Sequence, residues 1–168
     1  MLRRFLLVLP VVLSMGIIVP FAARADAAPQ ARGAIQAAYD REDAAVRRKD
    51  VRGVLVNCAP NFQFITQNGT RGNLADARQG LVSQFQTPSS FVAKTTIQKF
   101  TLQGNKAVVT VQEYQSRTVV PKAKHAHPHK IVTIGIDEDT WVKHGNRWLR
   151  EMSKMIRQKQ TLDGRTIG

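Results

Sequence analysis

A single cysteine, Cys58, in 168 residues excludes any intramolecular disulfide. Its setting, VLVNCAPNF, is mostly apolar and is read as that of a buried thiol, the alternative being an exposed reactive one. Acidic side chains are also scarce, 12 Asp and Glu against 25 Lys and Arg, for a formal net charge of +13. That balance suits acidic partners such as anionic lipid headgroups or polyanionic glycans, although its first consequence is a well-solvated surface. Nucleic acid is not expected as a partner, because the basic residues are scattered and no recognised binding motif appears. There is no internal repeat, linker or low-complexity stretch, which leaves one domain and excludes repeat arrays.

What is present begins with MLRRFLLVLPVVLSMGIIVPFAARADAAP. Arg3 and Arg4 precede an apolar run from Phe5 to Phe21, and small residues follow, the three parts of a secretory signal. The run is shorter than the roughly 20 residues of a spanning helix, and Pro10 and Pro20 interrupt it. Residues 1–25 are therefore expected to be a signal peptide, cut after Ala25 or Ala27, and the protein to be exported, periplasmic or secreted. No cysteine follows the run to accept a lipid. Three of the 25 basic residues lie in this segment, so 22 remain against 12 acids, a charge of +10 on residues 26–168. Those residues are expected to form one domain with a short C-terminal tail.

Apolar residues at Ile35, Ala38, Tyr39, Ala45 and Val46 have helical spacing, with Glu42 on the same stripe, and predict a helix over Gly33–Lys49. Asp50 can cap a short second helix through Val54 and Leu55. Phe62, Phe64 and Thr66 alternate with polar or outward positions in a strand that runs into the turn signal Asn68-Gly69. Asn73 with Asp76 three residues on is a capping box for a third helix, presenting Leu74, Ala77, Leu81 and Phe85 toward the core. Strands are predicted over 94–102, 106–120, 131–143 and 147–158, an antiparallel meander of four. Helices grouped before strands indicate an α+β domain, the three N-terminal helices packed on the concave face of a curved antiparallel sheet.

The segment AKHAHPHK holds three of the four histidines, His125, His127 and His129. It lies between two antiparallel strands, after Pro121 and around Pro128, so a loop is expected. If the segment is extended, the Cα atoms of His125 and His129 are roughly 13 Å apart, too far for both rings to reach one ion easily. Neither a cysteine nor a carboxylate is nearby in sequence, and Lys122, Lys124 and Lys130 repel a divalent cation. A solvated loop is the expectation, with weak metal binding or a pH-dependent contact as the alternatives.

The order helix, short helix, strand, helix and four-stranded meander goes with three local features. KD closes the first helix, CAPNF enters the first strand, and EDTWVKHGNRWL spans the last hairpin. In these the chain, over about Ala34–Arg157, resembles the nuclear transport factor 2-like superfamily, in its SnoaL-like and ketosteroid-isomerase-like branch. The resemblance implies a cone-shaped sheet covered by helices, with a ligand pocket inside. In ketosteroid isomerase itself, an aspartate base works with an oxyanion hole made by a tyrosine and a protonated aspartic acid. Counted from Asp50, the tyrosine position falls on Glu42, the base position on Thr66 and the second acid on Asp139. Threonine is too weak a base for a carbon acid, so steroid-type isomerisation is not expected.

The pocket implied by the resemblance is lined by Tyr39, Glu42, Phe64, Thr66, Tyr114, Asp139 and Trp141, with Glu113 and Glu151 as further polar candidates. Glu42 and Asp139 are the catalytic candidates, facing each other across the cone and sharing a proton. The alternative is that Glu42 pairs with an arginine and Asp139 orders the hairpin. Trp141 and Trp148 are read as core or dimer-face residues before ligand stackers. Three functions follow: an exported small-molecule-binding protein, a cofactor-free lyase, isomerase or hydrolase, or a basic protein held to anionic envelope polymers. A homodimer through the outer sheet face is expected, and no cofactor.

Overall fold

A computed structural model describes residues 27–120 and 127–167. The expected signal peptide and His125 lie outside the described residues. Among those described, no helix is long and apolar enough to cross a membrane.

Helix α1 spans Ala27–Arg48, beginning before the predicted Gly33, with Pro29 in its first turn, where the missing N–H costs no helix bond. Arg47 and Arg48 sit in its last turn, where cations favour the carboxyl end of the helix dipole. The short helix α2, Val51–Val54, is capped by Asp50, whose side chain accepts from the Gly53 amide at 2.9 Å. Strand β1 covers Cys58–Ile65 and the short β2 covers Arg71–Asn73. Helix α3, Leu74–Gln86, starts at the predicted box, with Asn73 accepting from Ala75 and Asp76 and the Asp76 carboxylate accepting from the Asn73 amide. Its stripe at Leu74, Ala77, Leu81 and Phe85 is only half-buried.

The four long strands follow as β3 (Ser89–Gln103), β4 (Lys106–Val119), β5 (His129–His144) and β6 (Arg147–Leu162), with a two-residue β7 at Arg165–Thr166. Gly104-Asn105 and Gly145-Asn146 join their hairpins, each glycine at positive φ (60° and 59°), where a side chain would be strained. The sheet order is β2-β1-β6-β5-β4-β3, with β7 beside β6, and β2 and β3 do not meet to close it. The α+β class and the four-stranded meander are as expected. One point is corrected: the sheet is mixed, because β1 runs parallel to β6. The connection between them spans the whole meander, so no local turn signal announces it.

Inward positions of the meander alternate with outward ones, and α1 lies across them. Ile35, Ala38 and Tyr39 of α1 pack on Ile97, Ala107, Val109, Val111 and Trp141, all buried, with Phe100, Leu102 and Trp148 around them. This apolar plug fills one end of the concave face. Two irregularities in the β5–β6 register, between Ile136 and Asp137 and between Thr140 and Trp141, leave Ile156 and Glu151 as extra residues on β6. The hairpin turn already sets Arg150 opposite Trp141, and beyond it the bulge at Glu151 resets the alternation so that Met155 stands opposite Asp137 on the inner side.

Candidate functional site

Beyond the plug, α1 stands off the sheet and encloses a cavity of about 240 Å³. Tyr39, Glu42, Asp43 and Val46 face it, an i, i+3, i+4, i+7 set that a helix places on one side. Thr95 of β3, Glu113 of β4, Gly135 and Asp137 of β5, and Arg150 and Met155 of β6 form the opposite wall.

Arg150 organises the inner end. One amino group donates to Glu42 Oε2 at 2.9 Å and the other to Asp139 Oδ2 at 3.1 Å. Its guanidinium carbon lies 5.4 Å from the ring centre of Trp141, 5.7 Å from Tyr39 and 5.8 Å from Phe62, an aromatic cage that favours a desolvated cation. The Tyr39 hydroxyl donates to Asp139 Oδ2 at 2.5 Å and accepts from Trp141 Nε1 at 2.8 Å. Asn57 donates to Glu42 Oε1 at 3.1 Å. Burial lifts the Glu42 carboxyl, against the pull of Arg150. Burial acts the other way on Arg150, but the charges of Glu42 and Asp139 outweigh it and hold the guanidinium protonated. The short pairing to a permanently charged group favours the ionised form of Glu42 against that burial.

Glu113 and Asp137 form a second unit. Glu113 lies opposite Gly135 and Asp137 opposite Val111, so the two acids are diagonal neighbours on the inner face. Gly135 supplies no side chain between them, and the two carboxyls interact directly. Burial, then the charges of Asp137 and Asp139, push Glu113 up to about 8. Burial, then Asp139, push Asp137 up to about 7. Two carboxylates in a desolvated site cannot both ionise cheaply, so the pair holds one proton between its members near neutrality. Asp137 is 5% exposed, and its Oδ1 has no donor among the described residues, an oxygen that a shared proton would satisfy. Asp43 differs, since the Thr95 amide (2.7 Å) and hydroxyl (2.9 Å) fill its two oxygens.

Of the residues singled out from sequence, Tyr39, Glu42, Glu113 and Tyr114 line this cavity. Asp139 is fully buried behind it, reached through Tyr39 and Arg150, and Trp141 is in the apolar plug. Phe64 lies over Gly72, where an added Cβ would come within 2.3 Å of its ring. Thr66 borders a separate open depression with Gln67 and Asn68. Glu42 and Asp139 are bridged by Arg150 and do not share a proton with each other. Glu151 is a bulge residue, 3.7 Å from His144.

Asp137, Asp43 and Arg150 were not singled out. Asp137 and Asp139 are two apart on one strand and so share a face, a signal present in IDED. Arg150 is set opposite Trp141 by the two-residue Gly145-Asn146 turn, so the hairpin signal carried its orientation. Cys58 is half-buried, 4.0 Å from an Arg150 nitrogen, and burial raises its thiol. His127 and His129 are exposed, and His129 Nδ1 lies 2.8 Å from Asp163. A carboxylate distant in sequence therefore does approach the histidine segment. Among the described residues, no group of three or more His, Cys, Asp or Glu is arranged to hold a metal ion.

No family model and no curated protein matches the chain. Solved structures do match. A nuclear transport factor 2-like superfamily protein from Salmonella enterica superposes with a TM-score of 0.57 at 16% identity, covering 76% of this chain and 90% of that one. A proposed scytalone dehydratase from Novosphingobium aromaticivorans gives 0.67 at 11% identity, over 79% and 87%. A proposed dehydratase from Streptomyces avermitilis gives 0.62 at 10% identity, over 76% and 96%. At these identities the likeness establishes the fold.

Proposed function

We propose that this chain, which has the nuclear transport factor 2-like fold, is an exported, cofactor-free lyase or isomerase that moves protons on a small molecule held in the α1 cavity. The observation that carries this reading is the Glu113–Asp137 pair, two carboxyls raised to about 8 and about 7 in an enclosed site. A half-protonated pair supplies both partners of an elimination or a double-bond shift. The ionised carboxyl takes a proton from substrate carbon as that C–H bond breaks. Its neighbour gives its proton to the departing oxygen, or to the carbonyl oxygen as the enol forms. A protein that only binds its ligand has no need of two acids held near neutrality. The dehydratase assignments proposed for two fold neighbours support the same class.

The pair is tested by carboxyl carbon-13 NMR on the ligand-free protein. Two carboxyls titrating between about pH 6 and 8.5 are expected, and the higher is lost in Glu113→Gln while Asp137 stays raised by burial and Asp139. If every carboxyl titrates below about pH 5.5, the pair shares no proton and the proposal fails.

A second reading, association with an anionic surface, is favoured by one feature outside the cavity. Arg41, Arg48 and Arg52 are exposed around a depression of about 390 Å³ between α1 and α2. Arg147 joins them, donating to the Val56 carbonyl at the same depression. The one acid there, Asp50, is engaged in its helix cap. Retention on anionic lipid vesicles is expected to fall steeply between low and physiological salt and to be lost in Arg48→Glu/Arg52→Glu. Retention that ignores salt, or survives the double substitution, would rule this surface out.

A further inference from the structure

Four carboxyls line the α1 cavity, and apart from Arg150 its donor side chains, among them Tyr114, Gln115, Thr133 and Gln158, are uncharged. The carboxyls are those of Glu42, Asp43, Glu113 and Asp137, with Asp139 one layer behind. Arg150 is the one basic group among its described lining residues, and both its amino groups are already committed to Glu42 and Asp139. It therefore has no free fork for a carboxylate or phosphate. Four carboxyls and one guanidinium thus surround a space of about 240 Å³, room for about eight water-sized groups.

Apolar groups are interspersed with the carboxyls on the same walls. Val46, Val54, Leu81 and Met155 contribute them, from α1, α2, α3 and β6. The buried Asp137 carboxyl has an oxygen that no described protein donor reaches. One shared proton leaves further lone pairs on Glu113 and Asp137 without a protein donor. A ligand that fills them has to bring N–H or O–H groups, and one that also carries positive charge relieves the local field.

We propose that the molecule taken by this cavity is a small organic cation, a primary ammonium or amidinium on a short apolar stem, with its charged end on Glu113 and Asp137. The inference rests on the proposed proton-transfer site and adds its substrate class. The positive charge of the whole protein does not oppose it strongly, because screening over about 8 Å at physiological salt leaves the local carboxylates dominant. Encounter is slowed by that charge, whereas residence is set by the site.

The test compares three probes of one shape on the full chain, butylammonium, butanoate and 1-butanol, by calorimetric titration at neutral pH. Saturable binding is expected for butylammonium, about tenfold or more tighter than for the others, and weakened at least about tenfold in Glu113→Gln and in Asp137→Asn. Equal binding of butanoate or butanol, no saturable binding of butylammonium at millimolar concentration, or indifference to both substitutions would overturn it. So would magnesium or calcium displacing butylammonium from the site. The carboxyl titration separates the two claims, since it is read without ligand. A pair that titrates near neutrality while the probes are not discriminated leaves proton transfer standing and removes the cationic substrate. A pair that titrates normally removes proton transfer itself.

Discussion

Arg150→Met is expected to cost about 3–5 kcal/mol of folding stability at neutral pH, the range for stripping one partner from a buried ionic group. Arg150 is 8% exposed, and it is the only cation bonded to Glu42 and Asp139 among the described residues. Methionine keeps much of the volume between Tyr39, Phe62 and Trp141, so the loss reports charge more than packing. The two abandoned carboxylates would respond by taking up protons. The sign follows: with folded pKa values raised above the unfolded ones, the native state binds more protons, and stability falls as pH rises. The deficit should therefore be smaller at pH 5 than at pH 8. Urea unfolding at both values checks this, and Arg150→Met/Glu42→Gln/Asp139→Asn should recover most of the loss by removing the unpaired charges. A deficit below about 1 kcal/mol with no pH dependence would mean that the triad does not hold α1 to the sheet.

The parts of this arrangement that are legible in the sequence are those set by neighbours in the chain. Asp50, the Asn73 and Asp76 box, and the glycines at 104 and 145 each act within a few residues, and each sits where local chemistry puts it. The stripe of α1 also announces its buried face, and it brings Tyr39 and Glu42 to the cavity. What stayed hidden depends on pairing at a distance. The parallel contact of β1 with β6 is made across about 90 residues, and β2, three residues long, exists only through β1. The bulges at Glu151 and Ile156 matter most for the site. Without them, simple alternation from Arg150 would bring Met152 and Lys154 to the inner face in place of Ser153 and Met155. Glu113 could be noticed as an acid in a strand. Its partnership with Asp137 follows only from the β4–β5 register, with Gly135 leaving the gap between them.

Glu113→Gln and Asp137→Asn are expected to stabilise the protein above neutral pH while removing the proposed chemistry. Both carboxyls have folded pKa values, about 8 and about 7, above the ordinary range near 4. From about pH 4 upward, the unfolded chain ionises them while the folded chain keeps its protons, so native stability declines through pH 7–8. A neutral amide of the same shape carries no such penalty. Each single substitution should therefore raise stability by only about 1 kcal/mol at pH 5 and at pH 8 by on the order of 2–4 kcal/mol, less than the full shift because the two groups are coupled. That corresponds to a thermal midpoint higher by roughly 5–10 °C in a domain of this size. The double substitution should gain less than the sum of the singles, since neutralising Asp137 also relieves Glu113. Thermal unfolding across pH 5–9 reads all of this without knowledge of the substrate. Variants less stable than the parent at pH 8, or equally displaced at every pH, would show that the two acids are held as ordinary ionised carboxylates. A stabilising loss of function is the mark of residues kept in a costly environment for what they do there.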